Sequence, residues 1–468
     1  MEKSIKKNFI YNLLYQILTF LLPLITTPYL ARILGKEMIG RYSYYYSIAY
    51  YFVLFGMLGL NNYGSREIAR IRDDKEKRSQ LFWSIFRLQL ITGILFLVAF
   101  IIYNFVFNLN NLISWLMVIY VISVVFDINW FFWGLEEFKI TVIRNICIKI
   151  LSIILIIVFI KSKNDIYLYT IIMTASMLIS NLILWPYLKG RVSFYSPTWN
   201  EVKKHIKPNL ILFIPVIAIS IYKVMDKIML GNFSSYQEVG LYEYAEKIIA
   251  IPISCVNALG AVMLPRMSNL VEKNLEEKEA TIIENSILLV MILSSSMSFG
   301  LISIANIFVP FFYGEGYEKC IILFYILLPS SLFLAIANVI RTQYLIPHSK
   351  DKVYVISIIL GAVVNYIINV TLIPYLQSIG TAIGTLTAEI IVCVYQILYV
   401  YKILNVKKLF YNICYIIFIS FIMLIVVYYI PYYINDIVTL SIKVIVGCIL
   451  YLTLIVLKYK EERRDIKL

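Results

Sequence analysis

The sequence is poor in the residues that build soluble catalytic and metal centres. Only two of its 468 residues are histidines, His205 and His348, and both lie in polar connectors. Its six cysteines stand singly in separate apolar stretches, without Cys-x-x-Cys spacing, so neither a disulfide framework nor a cysteine metal site is indicated. No nucleotide-binding motif is present. We therefore expect no cofactor, no metal and no direct use of ATP.

Charge is also scarce. Charged residues make up 15% of the chain and hydrophobic residues 61%, whereas soluble domains carry roughly 25% charged residues. The net charge of +14 does not indicate nucleic-acid binding, because a nucleic-acid binder gathers its lysines and arginines on one soluble face. Here they are distributed over many short connectors, so the composition predicts a membrane protein.

Fourteen apolar stretches are each long enough to cross a hydrocarbon core of about 30 Å as a helix. They cover residues 10–31, 39–61, 80–108, 112–135, 138–160, 166–188, 208–231, 239–265, 281–311, 319–345, 353–376, 380–401, 409–430 and 438–459. The connectors between them are too short to hold a further domain. We therefore predict an all-α polytopic membrane protein of about fourteen transmembrane helices.

The distribution of positive charge predicts the orientation of these helices. Most of the 42 lysines and arginines lie in the two terminal tails and in the connectors that follow even-numbered spans. Cytoplasmic connectors carry an excess of lysine and arginine. Both termini are therefore expected in the cytoplasm, with the strip 66–78 acting as a topology signal.

A short pattern recurs at an offset of 200 residues, from Ile39-Gly40-Arg41-Tyr42 to Val239-Gly240-Leu241-Tyr242. Six spans separate the copies, so both halves would have one orientation, related by a pseudo-two-fold axis along the membrane normal. We predict two six-helix lobes, 1–190 and 191–405. The two additional transmembrane helices and the cytoplasmic tail, 406–468, stand outside the repeat.

These motifs resemble a known family. Two patterns are similar to those of Wzx-type polysaccharide flippases. The first is Pro23-Leu-Ile-Thr-Thr-Pro28-Tyr-Leu-Ala-Arg32-Ile-Leu-Gly35. The second is Tyr222-x-x-x-Asp226-Lys-Ile-Met-Leu-Gly231, which leads into Val239-Gly-Leu-Tyr242. Those proteins belong to the multidrug, oligosaccharidyl-lipid and polysaccharide exporter superfamily, in which many members have twelve spans.

The resemblance implies a bacterial inner-membrane transporter that is not an enzyme. Its substrate would be an undecaprenyl-diphosphate-linked oligosaccharide repeat unit, moved to the outer leaflet by alternating access for capsule, O-antigen or exopolysaccharide assembly. A polysaccharide polymerase and other assembly proteins are expected partners, and a proton or sodium gradient the expected energy source.

Basic residues within the spans are candidates for binding such a substrate. Lys149 lies about eleven residues, roughly 17 Å, into its span, too deep for easy snorkelling to the interface. We expect it to line a polar cavity or to form an ion pair, for example with Asp127. Arg87, Arg144 and Arg341 lie nearer the cytoplasmic ends, where snorkelling explains each of them as well as substrate contact does.

Other charged residues are candidates for gating or coupling. These are Asp127, Lys223, Asp226, Lys227, Glu243, Lys247 and Glu389. The groups in spans seven and eight have spacings of three and four, so each set shares a helical face. They predict either fixed structural pairs or a gate with exchanging ion pairs. Glu389 is either a proton-coupling carboxyl or a neutral hydrogen-bonded one.

Tyr42 and Tyr46 share a face of the second span. Aromatic rings with hydroxyls suit sugar faces, but the chain holds 38 tyrosines. Packing or an interfacial position explains them more simply than substrate binding.

Two related functions remain open at this point. A lipid-linked peptidoglycan precursor flippase can also have fourteen spans. A drug or cation antiporter of the same superfamily would favour an acidic cavity over the lysine found here. A membrane glycosyltransferase or polymerase normally needs a sizeable outer loop, and the outer connectors are short.

Overall fold

A computed structural model gives the fold. It describes residues 24–273 and 276–465, apart from the side chains of residues 222, 223, 261, 276, 277 and 459–465. Every regular element among the described residues is helical. Packing divides the chain into two compact units at the Gly240–Leu241 bond. The predicted division at residues 190 and 405 stays a prediction.

The first unit contains eleven helices and the start of a twelfth within the described residues. They are α1 (residues 24–33), α2 (Gly35–Met57), α3 (Leu60–Arg70), α4 (Lys75–Phe107), α5 (Leu112–Leu116), α6 (Val118–Ser123), α7 (Asn129–Gly134), α8 (Phe138–Phe159), α9 (Ile166–Leu182), α10 (Trp199–Lys203) and α11 (Ile206–Phe233). Short 3-10 turns cover Val124–Phe126, Lys163–Asp165 and Trp185–Leu188.

The second unit is built from longer helices. They are α12 (Tyr236–Glu272), which begins in the first unit, α13 (Glu276–Tyr313), α14 (Lys319–Ile340), α15 (Asp351–Leu376), α16 (Ser378–Val400), α17 (Val406–Tyr428) and α18 (Asp436–Asp465). A π-helical turn, Arg341–Leu345, extends α14.

The predicted membrane class is confirmed. Twelve helical segments of the described chain are long and apolar enough to cross a membrane, and they correspond to predicted spans three to fourteen. Residues 10–23 of the first predicted span lie outside the described residues. The second predicted span forms α2, which is long enough to cross but more polar, since it contains six tyrosines together with Lys36, Glu37 and Arg41.

The basic strip 66–78 forms the end of α3, a turn and the start of α4. Asp74 caps α4, accepting hydrogen bonds from the backbone N–H groups of Glu76 and Lys77 at 3.1 Å each. These donors, Lys77 foremost, hold the pKa of the Asp74 carboxyl below its usual value. Capping of this kind satisfies N–H groups that a helix start leaves without partners.

Aromatic side chains form the core of the first unit. Phe82 of α4 packs on Trp130 and Phe131 of α7, with ring centroids 5.5 and 5.0 Å apart. All three side chains are fully buried. Large rings bury much apolar surface each, so they hold the short helix α7 against α4.

Helix α13 is the element on which much of the second unit packs. It contacts α14, α17 and α18. Ser331 of α14 bonds Ser294 and Ser298 of α13 at 3.0 and 2.8 Å, and Tyr451 of α18 donates to the Ile292 carbonyl at 2.9 Å. Small residues such as these serines let helices approach closely in a membrane. Helices α17 and α18 are attached to this unit through their contacts with α13.

Two buried lysines join α18 to α17. Lys443 Nζ donates to the carbonyls of Val427 and Tyr428 at 2.7 and 3.0 Å, satisfying the last turn of α17. Lys458 Nζ donates to Asn412 Oδ1 at 2.9 Å and lies 4.6 Å from the Tyr415 ring centroid. Both lysines therefore have structural partners near opposite ends of the helix pair.

We predict that Lys458→Ala destabilises this helix pair. It leaves the Asn412 amide buried without the lysine, and a hydrogen bond to a charged group contributes about 1.5–3 kcal/mol to the free energy of unfolding. Thermal unfolding of the purified protein in detergent measures the loss. Lys407→Ala, at an exposed position of α17, is the matched control, and the same small effect for both variants would contradict the prediction.

Candidate functional site

The fourth predicted span is broken in the middle. Its helix stops after the 3-10 turn at Phe126 and resumes at Asn129. Gln89 of α4 donates from Nε2 to the carbonyls of Val124 and Asp127, at 2.7 and 2.8 Å. In hydrocarbon a carbonyl that loses its helical hydrogen bond must accept one from elsewhere in the protein. The fully buried Gln89 amide donates to both of these carbonyls.

Two further side chains satisfy the same break. Asn181 of α9 donates to the Ser123 carbonyl at 2.9 Å, and Trp185 Nε1 donates to the Phe126 carbonyl at 3.0 Å. The broken helix is therefore held from two sides, by α4 and by the end of α9.

Arg144 of α8 lies beside this break and is only 7% exposed. Its guanidinium donates to Asn129 Oδ1 at 2.9 Å, to the Ser180 carbonyl at 3.0 Å and to Asn145 Oδ1 at 2.7 Å. Asn129 in turn donates through backbone and side chain to Asp127 Oδ1, at 3.0 and 2.6 Å, and Asp127 interacts electrostatically with Arg144. The structure thus brings together two predicted site residues, Arg144 and Asp127, in one polar network.

Lys149 lies five residues further along α8 and is partly buried. By helical spacing it shares a face with Ser152 and Ile156, both of which are buried. Ser152 bonds Ser176 of α9 at 2.7 Å, which identifies this as the face toward α9. Lys149 therefore lies on the α9 side of α8, further along the helix than Arg144, and its substrate contact stays a prediction.

The other two predicted arginines lie in different surroundings. Arg87 is exposed and donates to the Pro197 carbonyl at 2.5 Å. Arg341 belongs to the π-helical turn, donates to Tyr354 Oη at 3.2 Å and lies 5.6 Å from that ring centroid. Each is attached to a connector or a neighbouring helix of its own unit, and substrate contact for both stays a prediction.

Tyr42 and Tyr46 belong to a stack of tyrosine rings. Their centroids are 5.8 Å apart, and Tyr46 stacks on Tyr120 at 5.0 Å. Tyr169 meets Tyr42 edge-on at 4.9 Å, and Tyr42 is only 8% exposed. This arrangement supports packing between α2, α6 and α9, and a role in binding sugars stays a prediction.

The predicted gating residues of span seven are partly described. Asp226 is buried on α11 and interacts electrostatically with Tyr51 of α2. Lys227 is partly buried. The Lys223 side chain lies outside the described part of the structure.

In the second unit Glu243 and Lys247 form an ion pair at 3.4 Å within α12. Glu389 of α16 is 6% exposed. One turn before it, Thr385 bonds Tyr242 of α12 at 2.9 Å. Glu389 is therefore buried close to an α12–α16 contact, and its coupling role stays a prediction.

Three residues that carry much of the network around Arg144 were not predicted from the sequence: Gln89, Asn129 and Asn181. Each is an uncharged amide within or beside an apolar stretch. Such amides are costly in hydrocarbon unless they are hydrogen-bonded. Their positions in or beside apolar stretches could therefore have predicted that they form buried hydrogen bonds.

The two glycines of the sequence repeat lie against each other's helices. A Cβ on Gly40 of α2 would sit 1.7 Å from the Tyr236 carbonyl oxygen, and a Cβ on Gly240 of α12 would sit 1.8 Å from that of Lys36. Beside this contact Tyr44 donates to Asn232 Oδ1 at 2.6 Å. The close approach of α2 and the first turn of α12 requires glycine at both positions.

Solved structures share this fold. The lipid II flippase MurJ, in an inward closed conformation, superposes with a TM-score of 0.76 at 17% identity over 97% of this chain and 98% of that chain. A multidrug resistance MATE family transporter of the MOP superfamily, in an inward-facing conformation, gives a TM-score of 0.67 at 15% identity over 86% of this chain and 98% of that chain. The chain therefore has the same fold as these two proteins.

The family follows from sequence. The model of the family described as "Polysaccharide biosynthesis protein" matches residues 5–271, more than half of the 468 residues, and the chain belongs to that family. A curated relative, the "Putative O-antigen transporter" of Escherichia coli (strain K12), is 25% identical over 402 residues, which are 85% of this chain and 97% of the relative.

We predict that Gly40→Ala and Gly240→Ala each destabilise the protein by about 1–3 kcal/mol, because an added methyl group overlaps backbone atoms that cannot rotate away. Gly300→Ala is the control, since the nearest atom to its Cβ would be 3.9 Å away. There the change should be neutral or stabilising by up to about 1 kcal/mol through helix propensity. Thermal unfolding of the purified variants compares them, and equal stability of all three would contradict the prediction.

Proposed function

We propose that this protein is a flippase that moves an undecaprenyl-diphosphate-linked oligosaccharide repeat unit from the cytoplasmic to the outer leaflet. Capsule, O-antigen or exopolysaccharide assembly would use the product. The observation that carries the proposal is the combination of family membership with a relative named as an O-antigen transporter that aligns over nearly its whole length. The protein acts as a transporter and not as an enzyme.

The basic residues of the first unit support an anionic substrate. Lys149 and Arg144 lie five residues apart on α8, and a diphosphate requires cationic partners wherever water is excluded. The contacts of Arg144 fix its guanidinium in one orientation, whereas the flexible four-carbon stem of a lysine suits a moving ligand. We assign substrate contact to Lys149, with Arg144 holding the broken helix beside it. A cationic drug would favour acidic partners instead.

Alternating access requires contacts that close one side and can separate. The backbone contact at Gly40 and Gly240 suits such a role, because glycine at both positions places backbone directly against backbone. Glu389 is the residue we assign to coupling with a proton or sodium gradient. An ionisable group in a membrane span is by default a functional candidate.

The proposed location is the bacterial inner membrane, with both termini in the cytoplasm. The excess of lysine and arginine in the assigned cytoplasmic connectors supports this orientation. A polysaccharide polymerase and other assembly proteins are the proposed partners, since a flipped repeat unit must be consumed on the outer side.

Depletion of the protein in its host should cause undecaprenyl-diphosphate-linked repeat units to accumulate on the cytoplasmic leaflet. Leaflet-resolved analysis of extracted lipids, with re-expression of the native chain as the control, measures this. Normal appearance of the repeat units outside, with no substituting flippase present, contradicts the proposal. Accumulation of a peptidoglycan precursor instead assigns the protein to that lipid, whose flippase shares the fold.

Lys149→Ala should reduce export of the repeat unit by about tenfold or more, because a hydrogen bond to a charged group contributes about 1.5–3 kcal/mol. Protein abundance should be unchanged, and Lys149→Arg should retain part of the export. Lys204→Ala, at an exposed position, is the control. Arg144→Ala, in contrast, should lower thermal stability, since it removes donors to three neighbours. Undiminished export by Lys149→Ala would contradict the role given to this lysine.

A further inference from the structure

An open groove lies on the surface of the first unit, between the first turns of α8 and the segment that follows α9. Its volume is about 440 Å³, and its lining includes Lys139, Ile143, Arg144, Cys147, Ile183 and Tyr187. Lys139 is the second residue of α8, so the groove begins where this predicted membrane helix begins. It therefore extends from the membrane boundary toward the hydrocarbon.

The charge at the mouth of the groove is positive. The two carboxylates that precede α8 are both neutralised by arginines: Glu136 pairs with Arg72 and Glu137 with Arg191, at 2.8 Å each. Lys139 itself is exposed. The positive charge of Lys139 is thus left to act on whatever enters the groove.

Apolar side chains continue from the groove along both helices. Ile143 is 44% exposed and Ile183 37%. Ile150 and Ile154 on α8, and Ile179 on α9, are also exposed. On helices of membrane-spanning length such a surface meets hydrocarbon chains. The groove therefore joins a cationic mouth to a lipid-facing apolar surface.

We propose that this groove binds the phosphate head group of an acidic glycerophospholipid. Lys139 Nζ and the Tyr187 hydroxyl bind the phosphate oxygens, while Ile143 and Ile183 contact the acyl chains. Basic pockets at the ends of transmembrane helices bind acidic head groups. Arg144 adds positive charge from the floor of the groove, partly balanced by Asp127.

The phosphate could belong to either of two lipids: a membrane phospholipid or the diphosphate-linked lipid that the protein is proposed to move. The groove is lined by α8 and by the segment that follows α9, and the residues assigned to phosphate contact, Lys139 and Tyr187, are separate from Lys149. We assign the groove to the phospholipid. This assignment goes beyond the proposed function and does not depend on it.

Native mass spectrometry of the full chain in detergent tests the proposal. The protein is titrated separately with dioleoyl phosphatidylglycerol, dioleoyl phosphatidylcholine and undecaprenyl diphosphate. Lys139→Gln should weaken phosphatidylglycerol binding about fivefold, the effect of one lysine near an acidic surface, and leave phosphatidylcholine unchanged. Lys207→Gln, at an exposed lysine that is likewise the second residue of its helix, should change neither.

A second pair of variants tests the groove itself. Cys147→Trp fills it and should reduce binding of phosphatidylglycerol, whereas Cys414→Trp, at an exposed cysteine of α17, should not. Thermal unfolding confirms that the variants are folded, and Tyr187→Phe provides a milder change if Cys147→Trp is unstable. Equal effects of Lys139→Gln and Lys207→Gln overturn the proposal. Loss of undecaprenyl diphosphate binding alone in Lys139→Gln also overturns it, since the groove would then serve the transported lipid.

Discussion

The need to satisfy backbone polar groups within hydrocarbon determines much of the first unit. A helix satisfies its own carbonyls, so a break in mid-membrane requires donors from elsewhere. The break between Phe126 and Asn129 receives them from Gln89, Asn181 and Trp185. These bonds attach α4 and the end of α9 to the break, and Arg144 binds both Asn129 after the break and Ser180 of α9.

The same requirement explains several buried cations without any ligand. Lys443 donates to two carbonyls at the end of α17, and Lys458 donates to a buried amide. Arg144 likewise has a backbone carbonyl and two amide oxygens as acceptors. A lysine or arginine inside a span is therefore weak evidence for a substrate path until its acceptors are known.

The helical class and most of the limits of predicted spans three to fourteen could be predicted from apolar length alone, because a hydrocarbon core imposes one length on every crossing. The interruptions could not. Leu58 ends α2 with a φ of 49°, and the break near Asp127 depends on Gln89, more than 30 positions away in the sequence. A local pattern contains no information about such a donor. The glycine repeat was visible in the sequence, but the mutual contact of Gly40 and Gly240 depends on how α2 and α12 approach each other.

The interactions that hold the first unit together differ in the free energy needed to separate them. Separating Arg144 from Asn129 and Ser180 would take two hydrogen-bond acceptors from a buried charge, which is strongly destabilising. The contact at Gly40 and Gly240 involves only backbone, and the carbonyls of Lys36 and Tyr236 already accept hydrogen bonds within their own helices. Its separation would remove van der Waals packing between α2 and α12, together with the hydroxyl contact of Tyr45 with Tyr236 at 3.2 Å and the approach of Arg41 to the Tyr236 ring at 5.5 Å. If the protein changes shape during a transport cycle, the Arg144 network should move as one piece, and α2 and α12 should part at the glycines.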